Sequence, residues 1–180
     1  MPKFLIGASL GGPIACTAAA ESKDHFKGMS LVAPYFGLNA KEQAEIDKFM
    51  PFIKMIARFH PHFRTDVMKR RKFASWLEHW MADPHQEGTK ISMANLINNQ
   101  KAMKQFNEKV IDKVSTPFIM FLAGQDDIVC NRAARSFFEN CQVEDKDVIE
   151  YDEMSHFCFQ DGEYWPQLAN DIVSWQNTHL

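Results

Sequence analysis

The sequence predicts an α/β protein, a parallel sheet flanked by helices with a helical insertion. Three observations carry this. Three short apolar runs, near residues 3–7, 29–33 and 117–123, and a shorter mixed run near 147–151 read as strands of a parallel sheet. Helical patterns separate and follow them, which makes βαβ units with a right-handed crossover. Between the second and third runs lies a long stretch of short helical patterns with no convincing strand. The expected division is therefore 1–36 and 111–180 for the sheet core and 37–110 for the insertion.

The first element sets up the rest. Phe4-Leu5-Ile6 reads as a strand, and Gly7-Ala8-Ser9-Leu10-Gly11 follows it into a small-residue helix. Gly-x-Ser-x-Gly between a strand and a helix is the pattern of a sharp turn that lifts a serine hydroxyl above a sheet. The turn strains the corner residue and brings the two backbones together. The positions two before and two after the serine, Gly7 and Gly11, are then expected to be tiny. Ser9 becomes a candidate nucleophile, and the N–H of Leu10, at the helix opening, a candidate oxyanion donor. A secretory leader competes for the same residues, with Lys3 as its charged start and Ala18-Ala19-Ala20 as a small-residue cleavage site. Gly7, Ser9, Gly11, Gly12 and Pro13 break the apolar run, which suits a turn better. Pro13 fits a first helical turn.

The turn Glu21-Ser22-Lys23-Asp24 precedes the second strand, Met29-Ser30-Leu31-Val32-Ala33, which Pro34 ends. Asn39 and Glu42 resemble a capping box. The helix after them runs toward Arg58, with Pro51 kinking or dividing it. Thr65 or Asp66 caps a further helix whose Phe73, Trp76, Leu77, Trp80 and Met81 form an apolar stripe beside Lys69 to Lys72. That stripe either covers other protein or serves as a lid toward a lipid-like substrate or a membrane surface. Asp83-Pro84 ends it, and Gly88-Thr89 opens another helix carrying Ile91, Ala94, Ile97 and Met103. His60 and His62 flank a proline without acidic or thiol partners, so they read as a solvated loop and no metal is expected.

The third strand, Thr116 to Ala123, leads into the loop Gly124-Gln125-Asp126-Asp127-Ile128-Val129. A helix near Arg132 to Asn140 and a fourth strand ending at Tyr151 follow. The loop Asp152 to His156 then leads to a last helix, Glu163 to His179, presenting Trp165, Leu168, Ile172, Val173 and Trp175.

The totals narrow the function. The chain has 180 residues, 46% apolar and 24% charged, with a net charge of −3. No basic stripe suggests nucleic acid, and no apolar run is long enough to cross a bilayer. Cys16, Cys130, Cys141 and Cys158 show neither metal spacing nor a disulfide framework, so free thiols in a reducing compartment are expected. The abundance of Phe and Met suits an adaptable apolar pocket or a well-filled core.

Ser9, an acid in the loop after the third strand (Asp126 or Asp127) and His156 after the fourth stand in the chain order of a serine, acid and base that meet at one rim of a parallel sheet. With these residues the chain resembles the monoacylglycerol lipases and related lysophospholipase-like serine hydrolases of the α/β-hydrolase superfamily. The matching segments are PKFLIGASLGG, HFKGMSLVAPYF, the helical stretch ending in Ala82-Asp83-Pro84, STPFIMFLAGQDDIVC and YDEMSHF. The resemblance implies a partial α/β-hydrolase fold with a helical cap, and a triad of Ser9, Asp127 and His156. Asp127 is chosen because the family's acid sits in a Gly-x-x-Asp loop that maps onto Gly124 and Asp127. Asp126 is the neighbouring alternative. Ala8 stands where the family commonly has histidine.

The implied activity is hydrolysis of monoacylglycerol-like or lysolipid esters, with no cofactor. The implied location is cytoplasmic, peripheral to membranes through the cap. The family places several strands before the serine, one of whose loops supplies a second oxyanion donor, whereas this sequence starts at the serine strand. The expectation is a fragment of a longer chain. A second chain supplying the rest, or an impaired hydrolase serving as an interaction subunit, are the alternatives. The serine strand would then be an open edge where a protein partner could pack.

Overall fold

The computed structural model describes residues 1–22, 24–38, 40–66, 82–85, 90–160 and 162–180. In chain order its elements are β1 (Phe4–Ala8), α1 (Gly11–Glu21), β2 (Gly28–Val32), α2 (Ala40–Phe59), β3 (Arg64–Asp66), β4 (Lys90–Ser92), α3 (Met93–Lys109), β5 (Phe118–Ala123), α4 (Asn131–Asn140), β6 (Lys146–Tyr151) and α5 (Trp165–Thr178). Two compact units form, Met1–Glu42 with Met103–Leu180, and Gln43–Ala102. This division falls inside α2 and α3, whereas the sequence suggested residues 37 and 110.

In the first unit β1, β2, β5 and β6 form a sheet in the order β1-β2-β5-β6, with every pairing parallel. Every residue of the central strands β2 and β5 is buried. Their near-continuous apolar sequences are what burial on both faces demands. Alternation sorts the side chains. Phe118, Met120 and Leu122 face one way with Met29 and Leu31, against Ala15, Cys16 and Ala19 of α1 and Ala134 and Phe137 of α4. Ile119, Phe121 and Val32 face the other way, against Leu168, Ile172 and Trp175 of α5. Among the described residues β1 is an edge strand, and its Ile6 is 56% exposed.

Two side-chain bonds hold α5 to β6. The Tyr151 hydroxyl donates to Asp171 at 2.5 Å, and Trp175 Nε1 donates to Asp147 at 2.9 Å. Burial, and then the Asp171 carboxylate, push the Tyr151 phenol far up, so it stays a donor. Lys146 Nζ donates to the carbonyls of Phe138 and Cys141, placing a cation at the C-terminal end of α4. The last helix buries only part of the stripe read from the sequence. Val173 and Trp165 are exposed, because a helix advances about 100° per residue and 173 turns away from 172.

The entry to the site depends on how closely β1 meets α1. A Cβ placed on Gly7 would lie 2.4 Å from the Gly11 carbonyl oxygen, and one on Gly12 would lie 2.6 Å from Pro34 Cβ. A Cβ on Gly11 would meet nothing within 4 Å. The expectation that both glycines flanking the serine pair must be tiny is therefore right for Gly7 and wrong for Gly11. The crowded partner of Gly7 is the backbone of residue 11, not its side-chain space.

The second unit corrects the sequence reading more. β3 pairs antiparallel with β4, Arg64 opposite Ser92 and Asp66 opposite Lys90. Thr65 and Asp66 thus lie in a strand, the helix they were expected to cap falls outside the described residues, and Ile91 lies in β4 and not on the next helix. Three-residue strands are too short to show a period of two. Ser92 Oγ accepts the Asn95 N–H at 3.1 Å, so Ser92 opens α3. Pro51 sits inside one continuous helix and does not divide it. Asn39, the stripe from Phe73 to Met81, and Gly88-Thr89 lie outside the described residues.

Two stability predictions follow from these contacts. Gly7→Ala is expected to lose about 1–3 kcal/mol, as overpacking does. Gly11→Ala is expected to stay within about 0.5 kcal/mol of the parent. Urea unfolding midpoints read both.

The other concerns His179, which ends α5. Burial opposes its charged form, but bonds to the Trp175 carbonyl and Asp145, with the charges of Asp145 and Asp147, outweigh that and raise its pKa. A raised folded-state pKa gives stability that is complete below the unfolded value, about 6.5, and is lost as pH rises through the folded value above it. The destabilisation caused by His179→Gln should therefore be larger in acid than above that window. A difference that does not shrink with rising pH would overturn this account.

Candidate active site

Ser9 follows β1 at the corner into α1 with φ 50°, a left-handed conformation that a non-glycine residue holds only when its surroundings fix it. They do. The Ser9 N–H donates to Val32 O at 3.0 Å, and the Ser9 carbonyl accepts from Gly12 N at 3.0 Å and Tyr35 N at 2.9 Å. The turn after β2 thus grips the corner from one side while Gly12 presses on Pro34. Leu10 opens α1 with φ −58° and ψ −25°, so its N–H belongs to the first-turn donors that a helix does not satisfy itself.

The acid comes from the loop after β5. Asp126 Oδ1 accepts the N–H groups of Ile128 at 2.9 Å and Val129 at 2.8 Å. These bonds fold the carboxylate back over its own loop and leave Oδ2 for one further partner. Asn131, at the head of α4, donates through Nδ2 to Ala123 O at 2.7 Å and closes the loop from behind.

The base comes from the loop after β6. A Cβ on Gly124 would lie 2.2 Å from the Asp152 carbonyl oxygen, so only glycine lets the β6 loop lie across the end of β5. Gly124 N donates to Tyr151 O at 2.9 Å and Gln125 N to Met154 O at 3.0 Å. His156 then arrives with its side chain 7% exposed, beside an Asp126 side chain with no exposure.

His156 Nδ1 lies 2.7 Å from Asp126 Oδ2, and Nε2 lies 3.0 Å from Ser9 Oγ. A carboxylate only accepts, so Nδ1 carries the proton. In the neutral ring Nε2 then accepts from the serine hydroxyl. Such an arrangement can take a proton from Ser9 and stabilise the resulting imidazolium. The carboxylate on His156 is that of Asp126, which corrects the assignment of Asp127. The Gly-x-x-Asp spacing pointed one residue too far. The turn that buries residue 126 leaves Asp127 exposed at the loop surface. The sequence reading also missed the two backbone donors and Asn131. Their only signal was the loop length between the strand and the helix.

Other nucleophiles fit less well. Burial, with Cys141 nearby, pushes the Cys16 thiol far above its ordinary range, so it is no thiolate source. A depression of about 740 Å³ opens at the opposite end of the strands, among Asp112, Pro117, Glu144 and Asp145. Ser115 lines it but no histidine does, so chemistry and not volume locates the site. Among the described residues no cluster of metal-ligating side chains occurs, and no helix is long and apolar enough to cross a membrane.

Residues 1–163 match the family model described as serine aminopeptidase, S33. Monoglyceride lipase of Rattus norvegicus is 24% identical over 185 residues, covering 99% of this chain and 58% of the relative. That of Homo sapiens is 25% identical over 179 residues, covering 96% and 56%. The chain thus spans little more than half the length of the curated relatives it matches. Among solved structures, the monoacylglycerol lipase of Paleococcus ferrophilus superposes with a TM-score of 0.80 at 21% identity, over 99% of this chain and 69% of that one. A soluble variant of the Saccharomyces cerevisiae monoglyceride lipase, in complex with a substrate analog, gives 0.79 at 21% identity, over 99% and 62%. These likenesses and the parallel sheet agree with the sequence reading of the fold, and the chain belongs to the serine aminopeptidase S33 family of α/β hydrolases.

Proposed function

We propose that this chain carries the catalytic machinery of a serine ester hydrolase acting on monoacylglycerol-like or lysolipid esters. The observation that carries the reading is the unbroken run of hydrogen bonds from Ser9 through His156 to Asp126. The similarity to proteins named monoglyceride lipase supports the substrate class.

In this reading Ser9 Oγ attacks the ester carbonyl carbon as its proton passes to His156 Nε2. Asp126 holds the ring and stabilises the imidazolium. The Leu10 N–H donates to the oxyanion at the helix entrance. The tetrahedral adduct collapses, the alkoxy C–O bond breaks, and His156 returns the proton to the leaving alcohol. Water, deprotonated by His156, then attacks the acyl-serine and frees the fatty acid and Ser9. These steps use side chains, one backbone donor and water. Peripheral contact with a lipid surface, a cytoplasmic location and a protein partner at the β1 edge belong to the same proposal.

Hydrolysis of a panel of monoacylglycerols and of a soluble short-chain nitrophenyl ester tests it, with a fluorophosphonate label directed at Ser9. Ser9→Ala should abolish labelling and lower turnover by about 10⁶. Asp126→Asn should lower it by about 10⁴, as loss of the orienting carboxylate does in serine triads. Asp127→Asn should change it by less than about tenfold. A folded protein that neither labels nor hydrolyses would overturn the activity. Equal losses in the two Asp variants would overturn the choice of Asp126.

A further inference from the structure

The chain reaches His156 through a turn, Tyr151 to Met154, closed by Met154 N donating to Tyr151 O at 3.1 Å. Three carbonyls of that turn accept bonds from two neighbouring residues of the loop after β5. Gly124 N reaches Tyr151 O at 2.9 Å, and Gln125 N reaches Met154 O at 3.0 Å. The third bond comes from a side chain: Gln125 Nε2 donates to Asp152 O at 3.2 Å. Asp152 O is also the atom that a Cβ on Gly124 would strike. Glycine at 124 permits the approach of the two loops, and the next residue ties them together.

The place of Gln125 in the chain gives this tie its consequence. Its peptide bond leads directly into Asp126, whose Oδ2 lies 2.7 Å from His156 Nδ1. Its two donors span the turn that leads, two residues past Met154, into His156. Acid and base stand on different loops, so their contact depends on those loops keeping one register. Gln125 is exposed and so fills no core space. An exposed amide that turns back onto a main-chain carbonyl gives up bonds to water and rotamer freedom to do so. We infer that Gln125 is a positioning residue for the reaction. Its side-chain amide keeps the base-bearing turn against the acid loop, and so keeps the imidazole between Ser9 and Asp126. It acts through the turn, with no contact to the reacting atoms. Without the amide, the main-chain bonds to Tyr151 O and Met154 O remain, but the apex at Asp152 loses this tether. The inference rests on the serine hydrolase reading above and adds a residue to it, and one of its two measurements needs no turnover.

Gln125→Ala removes the donor and leaves the main-chain bonds in place. Gln125→Glu keeps the length and shape of the side chain but sets an oxygen against the Asp152 carbonyl. On a soluble short-chain nitrophenyl ester both variants should lose about fivefold in kcat, the scale of one neutral hydrogen bond, with KM within about twofold of the parent. The second measurement is modification of His156 by diethyl pyrocarbonate, followed peptide by peptide by mass spectrometry. The His156 side chain is 7% exposed. Local opening of its turn should make it react at least about threefold faster in both variants, while the other histidines keep their rates. Circular dichroism establishes that the variants are folded. A parental kcat in either variant overturns the inference, and for Gln125→Glu alone it would show that shape and not the hydrogen bond matters. A raised KM with unchanged kcat overturns it as well, since that marks contact with substrate. Parental reactivity of His156 overturns it whether or not turnover falls. If the parent neither takes a fluorophosphonate label nor hydrolyses the ester, faster modification of His156 in both variants leaves the positioning role standing and removes only the hydrolase reading.

Discussion

The missing side chain at residue 7 is the constraint on which the site depends. β1 and α1 approach until a Cβ there would lie 2.4 Å from the Gly11 carbonyl oxygen. Nothing larger than hydrogen fits without opening the corner. That approach sets the angle at which α1 leaves the sheet, and so the left-handed backbone of Ser9 and the direction of its hydroxyl. A non-glycine residue with φ 50° costs on the order of 1–3 kcal/mol. The cost is offset by three backbone hydrogen bonds to the same residue and by the buried strands beneath it.

Geometry poses a second problem, because Ser9 and His156 leave strands at opposite edges of the sheet. β1 and β6 are three strand spacings apart, about 14 Å. No side chain spans that. The loop after β6 solves it by lying back across the end of β5, which only a glycine at 124 permits. The Asp126 loop then occupies the middle position, between base and sheet. Parallel strands are what make this workable, since all four C-terminal ends open on the same rim. The order serine, acid, histidine along the chain becomes the spatial order serine, histidine, acid because the middle segment folds under the last.

This also explains what could be read in advance. β2 and β5 are legible because burial on both faces leaves no polar position except Ser30 and so yields apolar runs. Ser9 and His156 are legible because the first stands directly after β1 and the second in the short loop that follows β6. Asp126 and Asp127 are equivalent at that level of reading. Both are carboxylates in the same loop, and the choice is made by which one receives the amides of residues 128 and 129, a matter of backbone angles. β3 and β4 were missed for a related reason. Their pairing joins segments far apart in sequence and too short for a pattern. Val173 looked like core because a five-position stripe is wider than the face that α5 turns to the sheet.

Whole-chain averages hide the remaining asymmetry. A net charge of −3 argues fairly against a surface that is basic throughout. It says nothing about how charge is distributed along one helix. In α2 the acids Glu42, Glu45 and Asp47 all lie in the first half, which also holds Lys41, while Lys48, Lys54 and Arg58 follow them, so the charge balance runs along the axis in the sense that complements the backbone dipole. The arrangement stabilises the helix whatever else it does. The apolar exposure confined to the cationic half has no such local explanation, since exposed Phe and Met add nothing to helix stability that Ala or Leu would not give. The helix dipole favours acids at the start and cations at the end, and helix propensity does not explain the exposed phenylalanines.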